Sequence, residues 1–93
     1  RCTGTVAAWV AHGANDQEYG APLSSYVDVG RAIRDFHATR NGCAASAAPV
    51  TPSPCVAQAG CMTRMPVHWC EHAGAHEWPS FTSAAIAGFF LGL

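Results

Sequence analysis

Lysine is absent from this chain of 93 residues, and its five basic residues are all arginines, scattered at positions 1, 31, 34, 40 and 64. With a formal net charge of -1 there is no basic stripe to neutralise a run of phosphates, which sets nucleic acid aside as a partner. No stretch approaches the roughly 18 to 20 consecutive apolar residues of a membrane span, and the terminal AAIAGFFLGL is too short, so no membrane partner is expected either. The chain opens at Arg1 without Met and without a charged-then-apolar leader, and it enters an apolar run almost at once. We expect a tail of a longer polypeptide, with any export signal encoded upstream. Internal repeats and interdomain linkers are missing too, so residues 1–93 read as a portion of one domain. The absence with the most chemical weight is G-x-S-x-G, because without it no serine is marked as sitting on a nucleophile elbow.

What is present argues for a packed, oxidised chain. Hydrophobic residues make up 49% and charged residues only 12%, a balance that disordered chains do not show. There are five cysteines, four of them between Cys43 and Cys70, and that density points to an oxidising compartment and hence to secretion. Cysteine spacing alone leaves many pairings open, with two bridges and one thiol left over.

Two stretches share one layout. Val6 to Ala11 is an almost continuous apolar run, as in a strand buried on both faces of a parallel sheet, and it enters the turn HGANDQEYGAP. Val67 to Glu71 reads as a second strand, followed by a Gly-containing loop that carries His76 and by Trp78-Pro79. Between them, Tyr26 to Arg40 places Val29, Ile33 and Phe36 at helical spacing, with Arg31, Arg34 and Asp35 available for another face. Ser24 or Ser25 is positioned to cap this helix, and Asn41-Gly42 supplies a left-handed stop. Gly30 in its interior costs about 1 kcal/mol relative to Ala, which marks close packing against another element. Cys43 to Met65, with Pro49, Pro52 and Pro54, has no sustained period and reads as a loop held by cross-links. Phe81 to Leu93 reads as a helix with Ile86, Phe89, Phe90 and Leu93 along one stripe. The expected fold class is α/β, with two parallel strands, two helices and a disulfide-linked loop. Such a crossover unit leaves sheet edges and helix faces to be covered.

The candidate chemistry follows the same two strands. A carboxylate after the first and an imidazole after the second suggest two members of a hydrolase triad, in the chain order of α/β-hydrolases. His76 is the candidate general base, against the alternative of a surface loop histidine. Asp16 is the candidate that orients its imidazole, against the alternative of an Asx turn at Asn15-Asp16. Trp78 is expected to pack over the loop and hold His76. His12 is read as shaping its turn, His37 as one of the solvent-facing residues of the first helix, His68 as alternating with Trp69 in the second strand, and His72 as marking that strand's end. His68, Cys70, His72 and His76 invite a zinc reading, yet the paired spacings of zinc sites are missing, so no metal and no cofactor is expected. Ser24, Ser25, Ser46, Ser53, Ser80 and Ser83 all read as turn, cap or loop residues.

Taken together, HGAND, RDFHATRNGC, SPCVAQAGC, PVHWCEHAGAHEWP and AAIAGFF resemble the C-terminal part of secreted esterases of the feruloyl esterase and polyhydroxybutyrate depolymerase-like group. These are α/β-hydrolases related to carbohydrate esterase family 1, and the match runs from Val6 onward. The resemblance implies a Ser-Asp-His triad to which this chain contributes Asp16 and His76, and an ester substrate: feruloylated or acetylated polysaccharide, or a polyester. It also implies the pairing Cys43 with Cys61 and Cys55 with Cys70. Cys2 is left for the missing N-terminal part of the domain, or as a thiol. Ala75 departs from the family's usual second glycine before the histidine, and Gln58-Ala59 from an aromatic-containing step, neither of which removes a catalytic side chain. A self-standing, disulfide-linked secreted binding module without catalysis is the competing expectation.

Overall fold

The computed structural model describes residues 5–14, 23–74 and 79–93. Strand β1 (Ala8–Gly13) leads to helix α1 (Leu23–Arg40), then come short strands β2 (Ala47–Pro49) and β3 (Cys55–Gln58), strand β4 (Val67–His72) and helix α2 (Thr82–Leu91). The sheet order is β1-β4-β3-β2, with β1 and β4 parallel and the other two pairings antiparallel. The α/β class and the parallel pair therefore hold, but among the described residues the sheet has four strands where two were expected. The difference lies in the cross-linked segment, which forms a hairpin that extends the sheet on the far side of β4.

The hairpin has little local drive, because AAP and CVAQ are too short and too mixed for a hydrophobic alternation to define them. Non-local bonds hold it. The disulfide Cys55–Cys70 joins two register partners on β3 and β4, and Cys43–Cys61 ties the end of α1 to the base of the hairpin. The chain segments closed by these bridges are 18 and 15 residues long, so each bridge restricts the unfolded chain by about 3 kcal/mol. Both pairings are those implied by the family resemblance.

β4 is the centre of the core: Val67, Trp69 and Cys70 are buried in it, with Ala8 from β1, Cys55 from β3, Val27 and Ala38 from α1, and Ala85 and Phe89 from α2. Because side chains alternate along a strand, Trp69 and Glu71 meet α1 on one face, and His68 faces α2 on the other.

Helix α1 packs through a face other than the apolar stripe read from its sequence. Val29, Ile33 and Phe36 are 56%, 45% and 48% exposed, whereas Val27, Gly30 and Ala38 are buried. The reason is the approach distance. A Cβ on Gly30 would lie 2.9 Å from Trp69 Cη2 and 3.0 Å from His12 Cβ, so small residues set how near the helix comes. Arginines expected on another face instead reach toward the sheet: Arg31 forks onto Glu71 at 3.0 and 2.8 Å, and the Arg34 guanidinium lies 5.3 Å from the Trp69 ring centre. Ser24 and Ser25 fall inside the first turn of α1, not ahead of it.

Gly42, with φ 71°, provides the stop after α1, as expected. Its neighbour Asn41 has a second task. The side chain is fully buried, and its Nδ2 donates to the carbonyls of Val6 at 2.7 Å and Met65 at 3.0 Å, joining the approaches to the two parallel strands.

Candidate functional site

The parallel register sets the geometry of the candidate site. Gly13 at the end of β1 is the partner of His72 at the end of β4, and the next residue, Ala14, donates its N–H to the His72 carbonyl at 2.8 Å. The segment carrying Asp16 and the segment carrying His76 thus depart from adjacent strand ends on one carboxyl edge of the sheet, where sites form in open α/β folds. Asp16, His76 and Trp78 themselves lie outside the described residues, as does Cys2.

The described residues show how this edge is held in place. His72 is buried at 8% exposure, and its Nδ1 accepts the N–H of Gly74 at 3.1 Å, which puts the ring proton on Nε2 and ties the first turn of the loop to the strand. His12, one residue before the end of β1, directs Nδ1 at the Gly13 carbonyl at 3.1 Å, a contact in which the ring nitrogen must donate. These two histidines act on turn geometry, in line with the reading of His12. The sequence marked His72 only as a strand end. Just before it, Cys70 is tied to β3 by its disulfide, and Glu71 is gripped by Arg31, which also reaches Asp28 at 3.1 Å. The Arg31 hydrogen bonds hold the Glu71 carboxyl below its ordinary range, so it stays ionised and paired. Nothing in the sequence marks Arg31 and Glu71 as a pair, since 40 residues separate them.

On the other face an open cavity of about 390 Å³ lies between α2 and the sheet, with Trp9, Pro52, His68, Phe81 and Phe89 among its walls. Burial pushes the His68 imidazole below its ordinary pKa, and the ring stands edge-on to Phe89 with centroids 4.7 Å apart. A neutral imidazole in an aromatic setting is a packing element here. Cys70, one of the residues behind the zinc reading, is bonded to Cys55, and among the described residues no three His, Cys, Asp or Glu side chains come together as a metal site. Of the serines, Ser24 and Ser25 are in α1, Ser46 and Ser53 belong to the hairpin region, and Ser80 and Ser83 lie at the start of α2. Among the described residues, those that directly follow β1 and β4 (Ala14; Ala73 and Gly74) include no serine.

No protein-family model matches the chain, and no curated protein matches it. The two disulfides are compatible with an extracellular protein, and among the described residues no helix is long and apolar enough to cross a membrane.

Proposed function

We propose that residues 1–93 are the C-terminal part of a secreted serine carboxylic-ester hydrolase of the feruloyl esterase and polyhydroxybutyrate depolymerase-like group. In this reading Asp16 and His76 are the acid and base of its triad. The single observation that carries the proposal is the pairing of β1 with β4, Gly13 beside His72, because it starts the two segments from neighbouring strand ends. The motif set from HGAND to HEWP supports it from the sequence.

The nucleophilic serine and the oxyanion donors come from the N-terminal part of the domain. His76 takes the serine proton as the hydroxyl attacks the ester carbonyl, then returns it to the leaving alcohol. Asp16 holds the tautomer of His76 and stabilises the imidazolium formed in that step. A water molecule, activated by the same imidazole, then releases the acid from the acyl-enzyme. The disulfide at Cys70 and the Arg31 grip on Glu71 hold the end of β4, the strand that precedes the His76 segment in the chain, which lowers the reorganisation the base needs to meet its partners. The substrates are esters of plant-wall polysaccharide, feruloylated or acetylated, or a polyester. No cofactor enters the scheme.

The test begins with the reading frame upstream of Arg1. An in-frame strand followed by G-x-S-x-G, together with turnover of methyl ferulate or a chromogenic short-chain ester by the expressed parent, supports the proposal. A stop codon, or a signal peptide ending just before Arg1, refutes it in favour of a non-catalytic binding module. Residues 1–93 expressed alone are expected to hydrolyse neither ester, for want of a nucleophile.

A further inference from the structure

The residue that ends β4 is joined to both of the segments that leave this edge of the sheet. His72 accepts the N–H of Ala14 on its backbone carbonyl at 2.8 Å, and Ala14 opens the stretch that runs on to Asp16. Its ring accepts the N–H of Gly74 on Nδ1 at 3.1 Å, and Gly74 opens the stretch that runs on to His76. The two bonds differ in one respect. A backbone carbonyl accepts at any pH, whereas Nδ1 accepts only while it keeps its lone pair, because an imidazolium carries a proton on each nitrogen. Gly74 cannot adapt by reversing the bond, since a backbone N–H only donates.

The ring is 8% exposed, and its surroundings offer a charged form no compensation. By alternation along β4 it shares a face with His68, which is packed against Phe89, and with Cys70, which is bonded to Cys55. The residues of β1 on that face, Trp9, Ala11 and Gly13, carry no charge, and neither does any residue of β2, β3 or α2. Glu71, held by Arg31, and His12, set against Gly30, belong to the opposite face. Among the described residues, therefore, no carboxylate stands on the face of the sheet that His72 occupies.

We propose that His72 is a positioning residue that works as a proton-sensitive clasp. With its ring neutral it holds both segments, one through the carbonyl and one through Nδ1. A proton added at Nδ1 forms an N–H bond there, takes the acceptor away from Gly74 and releases the segment that leads to His76, while the bond from Ala14 remains. The clasp follows from the two hydrogen bonds. Its effect on turnover rests on the proposed function, in which the two segments carry the acid and the base of the triad. His72 touches no substrate in this scheme; it sets where the base begins.

Nuclear magnetic resonance of the parent protein, isotope-labelled at glycine nitrogen and histidine ring carbon, tests the clasp. The Gly74 amide and the His72 ring should follow one titration with a shared midpoint. Protection of the Gly74 amide, corrected for the intrinsic pH dependence of exchange, should drop about tenfold across it. His72→Asn places a side-chain oxygen two residues before Gly74, as in an Asx turn, and so keeps an acceptor that does not titrate. In that variant Gly74 protection should stay within about threefold of the wild-type value at high pH throughout, whereas His72→Leu should lose about tenfold throughout. A ring that titrates without moving Gly74, or a Gly74 amide that still titrates in His72→Asn, overturns the clasp; these two measurements decide the matter even where His72→Leu does not fold. Hydrolysis of methyl ferulate separates the clasp from the proposed function. His72→Leu should lower kcat about tenfold with KM changed less than about threefold, and His72→Asn should restore kcat. A folded His72→Leu with wild-type kcat overturns the positioning role. A parent protein whose Gly74 bond titrates with His72 but which hydrolyses no ester keeps the clasp and removes the proposed function.

Discussion

Replacing Gly30 with Ala tests how closely α1 sits on the sheet, and Gly88 provides the matching control in α2. In a helix interior Gly→Ala gains about 1 kcal/mol of propensity, and that is all that acts at Gly88, where an added Cβ meets nothing within 4 Å. At Gly30 the same methyl group would lie 2.9 Å from Trp69 Cη2 and 3.0 Å from His12 Cβ. Neither neighbour yields cheaply. Trp69 is only 5% exposed with Arg34 stacked on it, and a Cβ moves only with its backbone. Overpacking of this kind costs about 1 to 3 kcal/mol, so the net effect at Gly30 is a loss of about 1 kcal/mol, against a gain of up to about 1 kcal/mol at Gly88. The two identical substitutions should therefore differ by about 2 kcal/mol. For a domain of this size that is a gap of about 8 to 16 °C in melting temperature, with the wild type in between. Urea or thermal unfolding followed by circular dichroism reads it. If Gly30→Ala stabilises as much as Gly88→Ala, α1 does not approach β4 and β1 as described.

Asn41→Ala leaves the carbonyls of Val6 and Met65 without their buried donor and should lower stability by about 2 to 3 kcal/mol in the same assay, whereas a change under about 0.5 kcal/mol would mean that water replaces it. Removing Cys55–Cys70 by paired Ala substitution should cost about 3 kcal/mol and raise exchange in β3 first, since that bridge fixes β3 on β4; peptide mapping that joined Cys55 to Cys61 would overturn the pairing. Acid should weaken the fold in two steps. Burial lowers the His68 pKa in the folded state, so its contribution is present above 6.5 and is lost as pH falls through the folded value. Glu71, lowered chiefly by the Arg31 hydrogen bond, contributes above about 4.5 and loses that contribution at still lower pH. Urea midpoints measured from pH 7.5 down to 3.5 should show both steps, with Glu71→Gln flattening the lower one and His68→Phe the upper. A profile unchanged by either substitution would contradict these assignments.

The elements that could be read from the sequence were those with a strong local signal. Val6 to Ala11 is an apolar run ended by His12-Gly13, Val67 to Glu71 is a short stretch in which His68 alternates with Trp69, and both are strands within two residues of their expected bounds. Both helices were marked by spacing, and the Asn41-Gly42 stop by the need for positive φ at Gly42. The hairpin β2–β3 could not be read this way, because AAP and CVAQ gain their order from β4 and from two cross-links distant in sequence. The packing face of α1 was misread for a related reason. The apolar stripe Val29, Ile33, Phe36 was the louder pattern, but contact with Trp69 and His12 selects the small residue Gly30, while Arg31 and Arg34 reach the sheet as long side chains with polar or aromatic partners. At the candidate site, the strand ends were legible and the clamps were not: His72 on Gly74 and Arg31 on Glu71 are tertiary pairings without a spacing rule.

The most direct test of the account is steady-state hydrolysis of methyl ferulate by the proposed full-length esterase carrying His76→Ala or Asp16→Asn, with correct folding verified by circular dichroism. The acid-base roles predict that kcat falls by about 10⁴ for either substitution while KM changes far less, because removing a triad member abolishes proton transfer and leaves substrate binding in place. Variants that keep kcat within tenfold of the wild type would contradict the assignment of Asp16 and His76, and with it the reading of this chain as part of a serine esterase.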